Sequence, residues 1–177
     1  MERKEIGYQE YFAEVMEAMT ARGLLLGSYD RKGRANAMAI GWGTLGNVWS
    51  MPLWIVLVRP SRYTYECIEH SGAFSVNVPG PELADAVNLC GSRSGRDGDK
   101  LAEAGLTAEK GKVASAPTLA ECPIVYECNV VHHNDVVPGQ LVKEIVEGAY
   151  AGGDFHRVYF GRILSARAAR SAAKLLG

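Results

Sequence analysis

Short apolar segments, either alternating with polar residues or running without interruption, recur along most of the chain. Alternation with a period of two predicts half-buried strands, and a continuous β-branched run such as 53–58 predicts a strand buried on both faces. The strands predicted in this way cover residues 24–29, 34–40, 48–58 with a break near 51–52, 73–78, 124–131 and 155–164.

Apolar residues at helical spacing occur in shorter pieces between these strands. The helices predicted from them cover residues 8–21, 64–70, 81–90 and 100–104. Ser61 or Thr64 is the expected N-cap of the second helix, Gly72 its end, and Asp99 the expected N-cap of the last. Residues 137–150 fit either a strand with a loop or an inserted helix.

The predicted strands and helices follow one another without a βαβ rhythm. We therefore predict a mainly β fold with peripheral helices, built as an antiparallel Greek-key barrel, because a closed barrel leaves no unpaired strand edges. The 177 residues fit one domain that spans 1–177. Residues 166–177 are rich in alanine and form either a terminal helix or a disordered tail.

Charge and composition exclude several classes of function. Nineteen basic and twenty acidic residues leave a net charge of −1 without a basic stripe, so no nucleic acid partner is expected. No apolar run approaches the length of a membrane span, and the charged start Met1–Glu5 lacks a signal-peptide core. We therefore expect no membrane association and a cytoplasmic protein.

The cysteines and histidines give no metal-binding pattern. The four cysteines show no CxxC spacing, and reduced thiols are the default in the cytoplasm. His132 and His133 are adjacent on a predicted strand, so their side chains point to opposite faces and do not readily share an ion. No metal is therefore expected.

The segment 59–64 (RPSRYT) combines the end of a buried strand with the start of a helix. Pro60 cannot donate to a sheet ladder and should end the strand at that point. The free N–H groups of the following helix, two hydroxyls and two guanidinium groups suit a phosphate. The alternative is an ordinary capped helix with Arg59 and Arg62 in solvent.

A second loop, 91–100 (GSRSGRDGDK), has similar chemistry. Its hydroxyls, glycine amides and positive charges can bind an anion, although the same composition is typical of a mobile connection between helices. The small side chains of 36–39 would allow a flat ring to approach the backbone. Three glycines within 41–47 indicate a loop that lacks the GxGxxG spacing of a dinucleotide-binding fold.

His156 enters its predicted strand directly after the turn 152–154. If the strands close into a barrel, this side chain lies at the rim. There it can donate a hydrogen bond to a ligand or only satisfy the turn.

From about residue 23 to about residue 164 the sequence resembles the flavin reductase-like family, and within it the branch of flavoredoxins and small NAD(P)H:flavin oxidoreductases. The segments that carry the resemblance are 37–43 (AMAIGWG), 59–66 (RPSRYTYE), 71–77 (SGAFSVN), 90–100 (CGSRSGRDGDK) and 153–157 (GDFHR). The resemblance implies an FMN-binding split barrel, a homodimer, and a hydride transfer from NADH or NADPH to FMN, with an unknown electron acceptor.

The resemblance also implies roles for individual residues. The backbone along the isoalloxazine ring would come from Ala37, Met38, Ala39, Ile40 and Trp42. The ribityl chain and phosphate would be held at the 59–64 corner by Arg59, Ser61, Arg62, Tyr63 and Thr64. The second loop would close over the cofactor with Ser92, Ser94, Gly95, Arg96 and Lys100. His156 matches the histidine that lies near the nicotinamide in the reductases and is the expected catalytic residue.

One departure from the family pattern leaves an alternative open. Phe155 separates Asp154 from His156, whereas the family motif is Gly-Asp-His. The alternative is therefore a flavoredoxin-type electron carrier that holds FMN and has no nicotinamide site. A barrel that binds another anionic ligand, such as haem or pyridoxal phosphate, is a further alternative.

Overall fold

Nearly all strands of the chain pair in one antiparallel sheet. In the computed structural model, which describes residues 1–176, the hydrogen-bonded order is β3-β2-β6-β9-β10-β5-β4, and β1 pairs with the far end of β10. These strands are β1 (Arg3–Glu5), β2 (Leu24–Tyr29), β3 (Ala35–Ile40), β4 (Gly43–Val48), β5 (Met51–Val58), β6 (Ala73–Val78), β9 (Ile124–Asp135) and β10 (Arg157–Ala169). A separate hairpin joins β7 (Ala108–Lys110) and β8 (Pro117–Leu119).

The helices occupy the connections between strands, apart from the last one, which follows β10. They are α1 (Phe12–Ala21), α2 (Tyr63–Ser71), α3 (Ala84–Ser92), α4 (Lys100–Glu103), α5 (Lys143–Ala149) and α6 (Ala172–Leu176). Single 3-10 turns, Pro81–Leu83 and Pro138–Gln140, precede α3 and α5. The predicted mainly β fold with peripheral helices is therefore confirmed. Within the described residues, no helix combines the length and hydropathy that a membrane span requires.

Two apolar clusters hold the fold together. The larger cluster fills the interior of the sheet and includes the fully buried Trp54, Phe74 and Tyr126. A smaller cluster lies between the β2–β3 hairpin and the helices α3 and α4, and it contains Leu25 and Val87. Because the second cluster fixes α3 and α4 against β3, it also fixes the loop between these helices beside that strand.

The hairpin β4–β5 differs from the prediction. Residues 41–47 were expected to form a loop, but β4 begins at Gly43, and the chain turns at Trp49 and Ser50 instead of near 51–52. Both turn residues have positive φ angles, 54° and 59°, as a tight two-residue hairpin turn requires. Turn chemistry carried by non-glycine residues has no simple sequence signal, which explains the error.

The two ends of the chain also differ from expectation. β10 continues to Ala169 instead of ending at residue 164, because it pairs with β9 on one side and with β1 on the other. Residues 166–169 are therefore strand, and a terminal helix begins at Ala172, while Gly177 lies outside the described residues. The strand β1 is short and charged, so its pairing could not be inferred from hydrophobic pattern.

All four cysteines are free and buried. Burial raises the pKa of each thiol, and it raises that of Cys67 to about 12. The thiols are therefore protonated and unreactive at neutral pH in the folded protein.

Candidate functional site

Two adjoining pockets lie where β3, the end of β5 and the start of α2 meet. The β3–β5 pocket has a volume of about 190 Å³ and is lined by Met38, Ala39, Ile40, Gly41, Trp42, Leu57, Arg59, Arg62 and His156. The α2 pocket has a volume of about 160 Å³ and is lined by residues of β3, the start of α2 and the 90–100 segment. Met38, Ala39 and Arg62 line both pockets, so together the pockets form one groove.

β3 forms the floor that both pockets share. This strand is not a hydrogen-bonded neighbour of β5 in the sheet, and the β3–β5 pocket occupies the gap between them. Ala39 has a small side chain, and a Cβ at Gly91 would lie only 3.3 Å from its Cβ. Ala37 was also predicted to lie along the ring, but its side chain is fully buried in the cluster beneath α3.

His156 forms one wall of the β3–β5 pocket, although Phe155 interrupts the expected motif. Its Nδ1 lies 2.8 Å from the hydroxyl of Tyr150, and its ring lies 4.9 Å from that of Trp42. Phe155 stacks on Tyr150 with ring centroids 4.6 Å apart, so the extra residue packs against the turn. His156 therefore still reaches the pocket.

The environment of His156 favours the uncharged imidazole. Burial is the largest effect, and the positive charges of Arg59 and Arg62 add to it, while Asp154 opposes them. Together they lower the pKa of His156 to about 4. At neutral pH the side chain is therefore a neutral hydrogen-bonding group and not a cation.

The start of α2, where the sequence predicts a phosphate site, has no side-chain cap. Arg62 is the N-cap residue, with an extended backbone and no side-chain cap, so the expectation that Ser61 or Thr64 caps the helix is wrong. The Thr64 hydroxyl instead accepts a hydrogen bond of 2.8 Å from Asn36 of β3. The first N–H groups of α2 therefore lack a side-chain cap.

Arg62 has no acidic partner among residues 1–176, and its side chain makes no hydrogen bond there. Arg59 and Lys100 also lack ion pairs, but both donate to backbone carbonyls. Of the other cations of the α2 pocket, Arg93 pairs with Glu103, and Arg96 pairs with Glu66. Arg62 lines both pockets at a helix N-terminus. A free guanidinium in this position can bind an anion with two parallel hydrogen bonds.

Arg59 holds a neighbouring segment in place. Its guanidinium donates to the carbonyl oxygens of Ala149, Gly153 and Asp154 at distances of 2.8 to 3.2 Å, and it lies over the ring of Tyr150. This residue was expected to bind the cofactor. The structure places it at the edge of the β3–β5 pocket, with its donors used by the segment that carries His156.

Ser61 also contacts this segment. Its hydroxyl donates to a carboxylate oxygen of Asp154 at 2.6 Å, and its backbone N–H lies 3.3 Å from the other oxygen. Asp154 has a positive φ of 56°, which is uncommon for a residue other than glycine. A carboxylate therefore occupies two donors at the corner where a phosphate was expected.

The 90–100 segment closes the α2 pocket from the other side. Gly95 packs so closely on Asn36 and Tyr63 that a Cβ at this position would overlap both side chains. Arg96 lies over the ring of Tyr63 and donates to the carbonyl of Ser61. These contacts therefore tie the loop to the start of α2.

The remaining predicted residues of this loop differ in their exposure. Ser92 and Ser94 line the α2 pocket, and the Ser92 hydroxyl donates to the carbonyl of Asn88. Lys100 is buried, and its Nζ donates to the carbonyl oxygens of Cys90 and Arg93. Burial lowers the pKa of Lys100, and its contacts tie the loop to the end of α3. Asp99 caps α4 as predicted.

Sequence reasoning missed three residues of the site: Asn36, Tyr150 and Asp154. Asp154 was assigned to a turn and to the interrupted Gly-Asp-His motif but not to the site, and Tyr150 ended an ambiguous segment. The only available signal was the position of Tyr150 shortly before His156.

His132 and His133 contact different aromatic rings, Phe160 and Tyr159. Among the described residues no group of three or more potential ligands could hold a metal ion.

The antiparallel split barrel and its groove define a class of protein. Residues 16–176 match the flavin reductase like domain family, and the chain therefore belongs to that family. Solved structures of FMN-binding members share the architecture. One is the FMN-binding domain of a flavin reductase-like enzyme from Shewanella baltica OS155, with 20% identity, a TM-score of 0.66, and coverage of 94% of this chain and 77% of that chain.

Two flavoredoxins are more similar in sequence. The flavoredoxin of Desulfovibrio vulgaris (Miyazaki F) shares 28% identity at a TM-score of 0.69, over 84% of this chain and 70% of that one. The flavoredoxin of Methanosarcina acetivorans shares 30% identity at a TM-score of 0.68, over 85% and 70% of the two chains. An Escherichia coli K12 protein described as uncharacterized, YddH, is 36% identical over 78 residues, which are 44% of this chain and 41% of YddH.

Proposed function

We propose that the protein binds FMN in the groove and catalyses hydride transfer from NADH or NADPH to it. The observation that carries the proposal is Arg62, an arginine without an acidic partner in the described chain, at the N-terminus of α2 where the two pockets join. A ligand with a phosphate at one end and a flat ring at the other matches this arrangement.

The residues of the α2 pocket fit the phosphate and ribityl end of FMN. Arg62 and the first N–H groups of α2 would bind the phosphate, with Ser94 and the amides of the 91–96 loop on the opposite side. The close packing of Gly95 on Asn36 and Tyr63 holds this loop beside the helix. The loop would thereby limit the access of water to the bound phosphate.

The residues of the β3–β5 pocket fit the isoalloxazine end of FMN. Met38 and Ala39 line this pocket, so a planar group bound there would lie along β3. When bound, FMN would supply the hydride acceptor of the reaction. The chain itself would orient the two ring systems, with Trp42 and His156 at the side of the pocket that remains for the nicotinamide.

A flavoredoxin-type electron carrier is the second candidate. Similarity to two flavoredoxins supports it, and so does Phe155, which interrupts the Gly-Asp-His pattern of the reductases. In that case FMN would stay bound and exchange electrons with a partner protein. His156 would then only border the ring.

An anaerobic titration distinguishes the two functions. The FMN-loaded protein is mixed first with NADH and then with NADPH, and the visible flavin absorbance is followed. Rapid bleaching by one nucleotide supports the reductase and identifies its donor. Bleaching only by a chemical reductant would contradict it and support the carrier. Failure of the protein to retain or bind FMN would overturn both.

A further inference from the structure

Tyr150 and His156 form a buried hydrogen-bonded pair at the edge of the β3–β5 pocket. The Tyr150 hydroxyl lies 2.8 Å from Nδ1 of His156, and the two residues are only 5% and 7% exposed. A hydroxyl can donate or accept, and a neutral imidazole has one donor and one acceptor nitrogen. The pair therefore has two possible arrangements, which place the imidazole proton on different nitrogens.

The surroundings of the hydroxyl select one of these arrangements. The contact with Nδ1 is the only hydrogen bond that the Tyr150 hydroxyl makes within residues 1–176. If the hydroxyl accepted a hydrogen bond from Nδ1–H, its own O–H would lack an acceptor in a buried site, which is unfavourable.

The other ring nitrogen of His156 is left for the pocket. His156 lines the β3–β5 pocket, whereas Tyr150 does not, so the Nδ1 edge of the imidazole is turned away from the cavity. Nε2 makes no hydrogen bond within the described part of the chain, and it is not among the fully buried polar atoms without partners. Trp42 lies against the ring and restricts its rotation.

We propose that Tyr150 is a positioning residue that holds His156 as the Nε2–H tautomer, so that the pocket presents an uncharged hydrogen-bond donor. Such a donor selects a planar ligand with a carbonyl oxygen, such as the carboxamide of a nicotinamide ring. The choice of ligand rests on the proposed function, whereas the tautomer does not.

The charged groups around the imidazole are consistent with this assignment. Arg59 at the end of β5 and Arg62 at the start of α2 disfavour a protonated imidazole, and Asp154 on the same segment only partly opposes them. With a pKa of about 4, the imidazole stays neutral at neutral pH. Its hydrogen-bonding role is then set by the tautomer alone.

The tautomer can be measured directly by long-range ¹H–¹⁵N NMR of the cofactor-free protein labelled at histidine nitrogens, with His156→Gln to assign the signals. We expect a protonated Nε2 and an acceptor-type Nδ1 in the native protein. Tyr150→Phe should shift Nδ1 and give a mixture of tautomers. The matched control is Tyr159→Phe, because Tyr159 is also buried and donates to Glu69 instead. A protonated Nδ1 in the native protein, or identical spectra in Tyr150→Phe, would overturn the proposal.

The ligand class is tested with the FMN-loaded protein. Tyr150→Phe should raise the KM for the nicotinamide nucleotide about tenfold, the effect of one neutral hydrogen bond, with a smaller change in kcat. An unchanged KM would reject the nicotinamide carboxamide as the acceptor. No reduction of FMN by either nucleotide would reject the proposed function, while the NMR spectra would still decide the role of Tyr150.

Discussion

Individual side chains at the groove have separable roles, and Arg62 gives the clearest test of anion binding. Arg62→Ala should weaken FMN binding by about 1.5–3 kcal/mol, because it removes charge-assisted hydrogen bonds to the phosphate. Isothermal titration calorimetry of the cofactor-free protein measures the change. Arg31→Ala is the matched control, since Arg31 is exposed and lines neither pocket of the groove. Equal FMN affinity of the two variants would contradict the assignment.

His156 should make stability depend on pH. Its pKa is about 4 in the folded protein, mainly because of burial, against 6.5 for an ordinary histidine. Unfolding therefore takes up a proton between these pH values, so stability should increase from pH 4 to 6.5 and then level off. The contribution is at most about 3 kcal/mol.

Urea unfolding of the native protein and His156→Gln measures this contribution. The stability difference between them should change over that pH range and be constant above it. His70→Gln is the control, because His70 is exposed. A pH-independent difference in stability would show that His156 has the same pKa in the folded and the unfolded protein.

The residues of the groove differ in how far they could be predicted. Arg62 and His156 stand in recognisable local patterns, and the structure places both at the groove. Arg59 and Lys100 stand in the same patterns, but their side chains donate to backbone carbonyls. Lys100 donates to Cys90 and Arg93 of its own segment, whereas Arg59 donates to residues 149–154. The partners of Arg59 lie 90 to 95 positions away in the chain, so these contacts depend on the tertiary fold, which local patterns do not encode.

At the level of elements, the segment from α5 to β10 depends on Arg59. Arg59→Ala should increase hydrogen–deuterium exchange in residues 149–156, because three carbonyl oxygens lose their donor. Exchange in β9 should change little. Arg62→Ala is the control, as its side chain makes no hydrogen bond to this segment in the described structure. Unchanged exchange at 149–156 would show that the segment is held by other contacts.

The helices and strands agree with the prediction from the sequence where burial alone determines them. α2 occupies 63–71 against a prediction of 64–70, and Gly72 ends it with a φ of 64° as expected. β4 was missed because its polar and glycine residues resemble a loop. A Cβ at Gly43 would lie 2.7 Å from the carbonyl oxygen of Ile55, so close approach to β5 explains this glycine.

At the level of the whole molecule, the surface formed by the β4–β5 turn, β9 and β10 exposes several large apolar side chains. Trp49, Val131 and Leu164 are 57%, 44% and 39% exposed, and Trp49 packs on Phe160 and His132. We propose that a second copy of the chain covers this surface, in line with the dimer that the family resemblance implies. Exposed apolar patches of this kind are typical of protein interfaces.

Light scattering after size-exclusion chromatography tests the dimer. The native protein should have twice the chain mass of 19.1 kDa. Trp49→Asn should shift the equilibrium towards the monomer while keeping the turn, since Asn tolerates a positive φ. Val142→Ser, which changes an exposed residue at the start of α5, is the control. A monomeric native protein at tens of micromolar would contradict the proposal.

The four buried cysteines can be used to measure local opening of the folded structure. Cys67 lies in α2 and Cys90 in α3, next to the groove, while Cys128 lies in β9 within the main apolar cluster. A thiol reagent can modify them only when the surrounding structure opens, so the rate of modification at each cysteine measures the local opening equilibrium. Ligand binding in the groove should therefore slow modification of Cys67 and Cys90 before it affects Cys128.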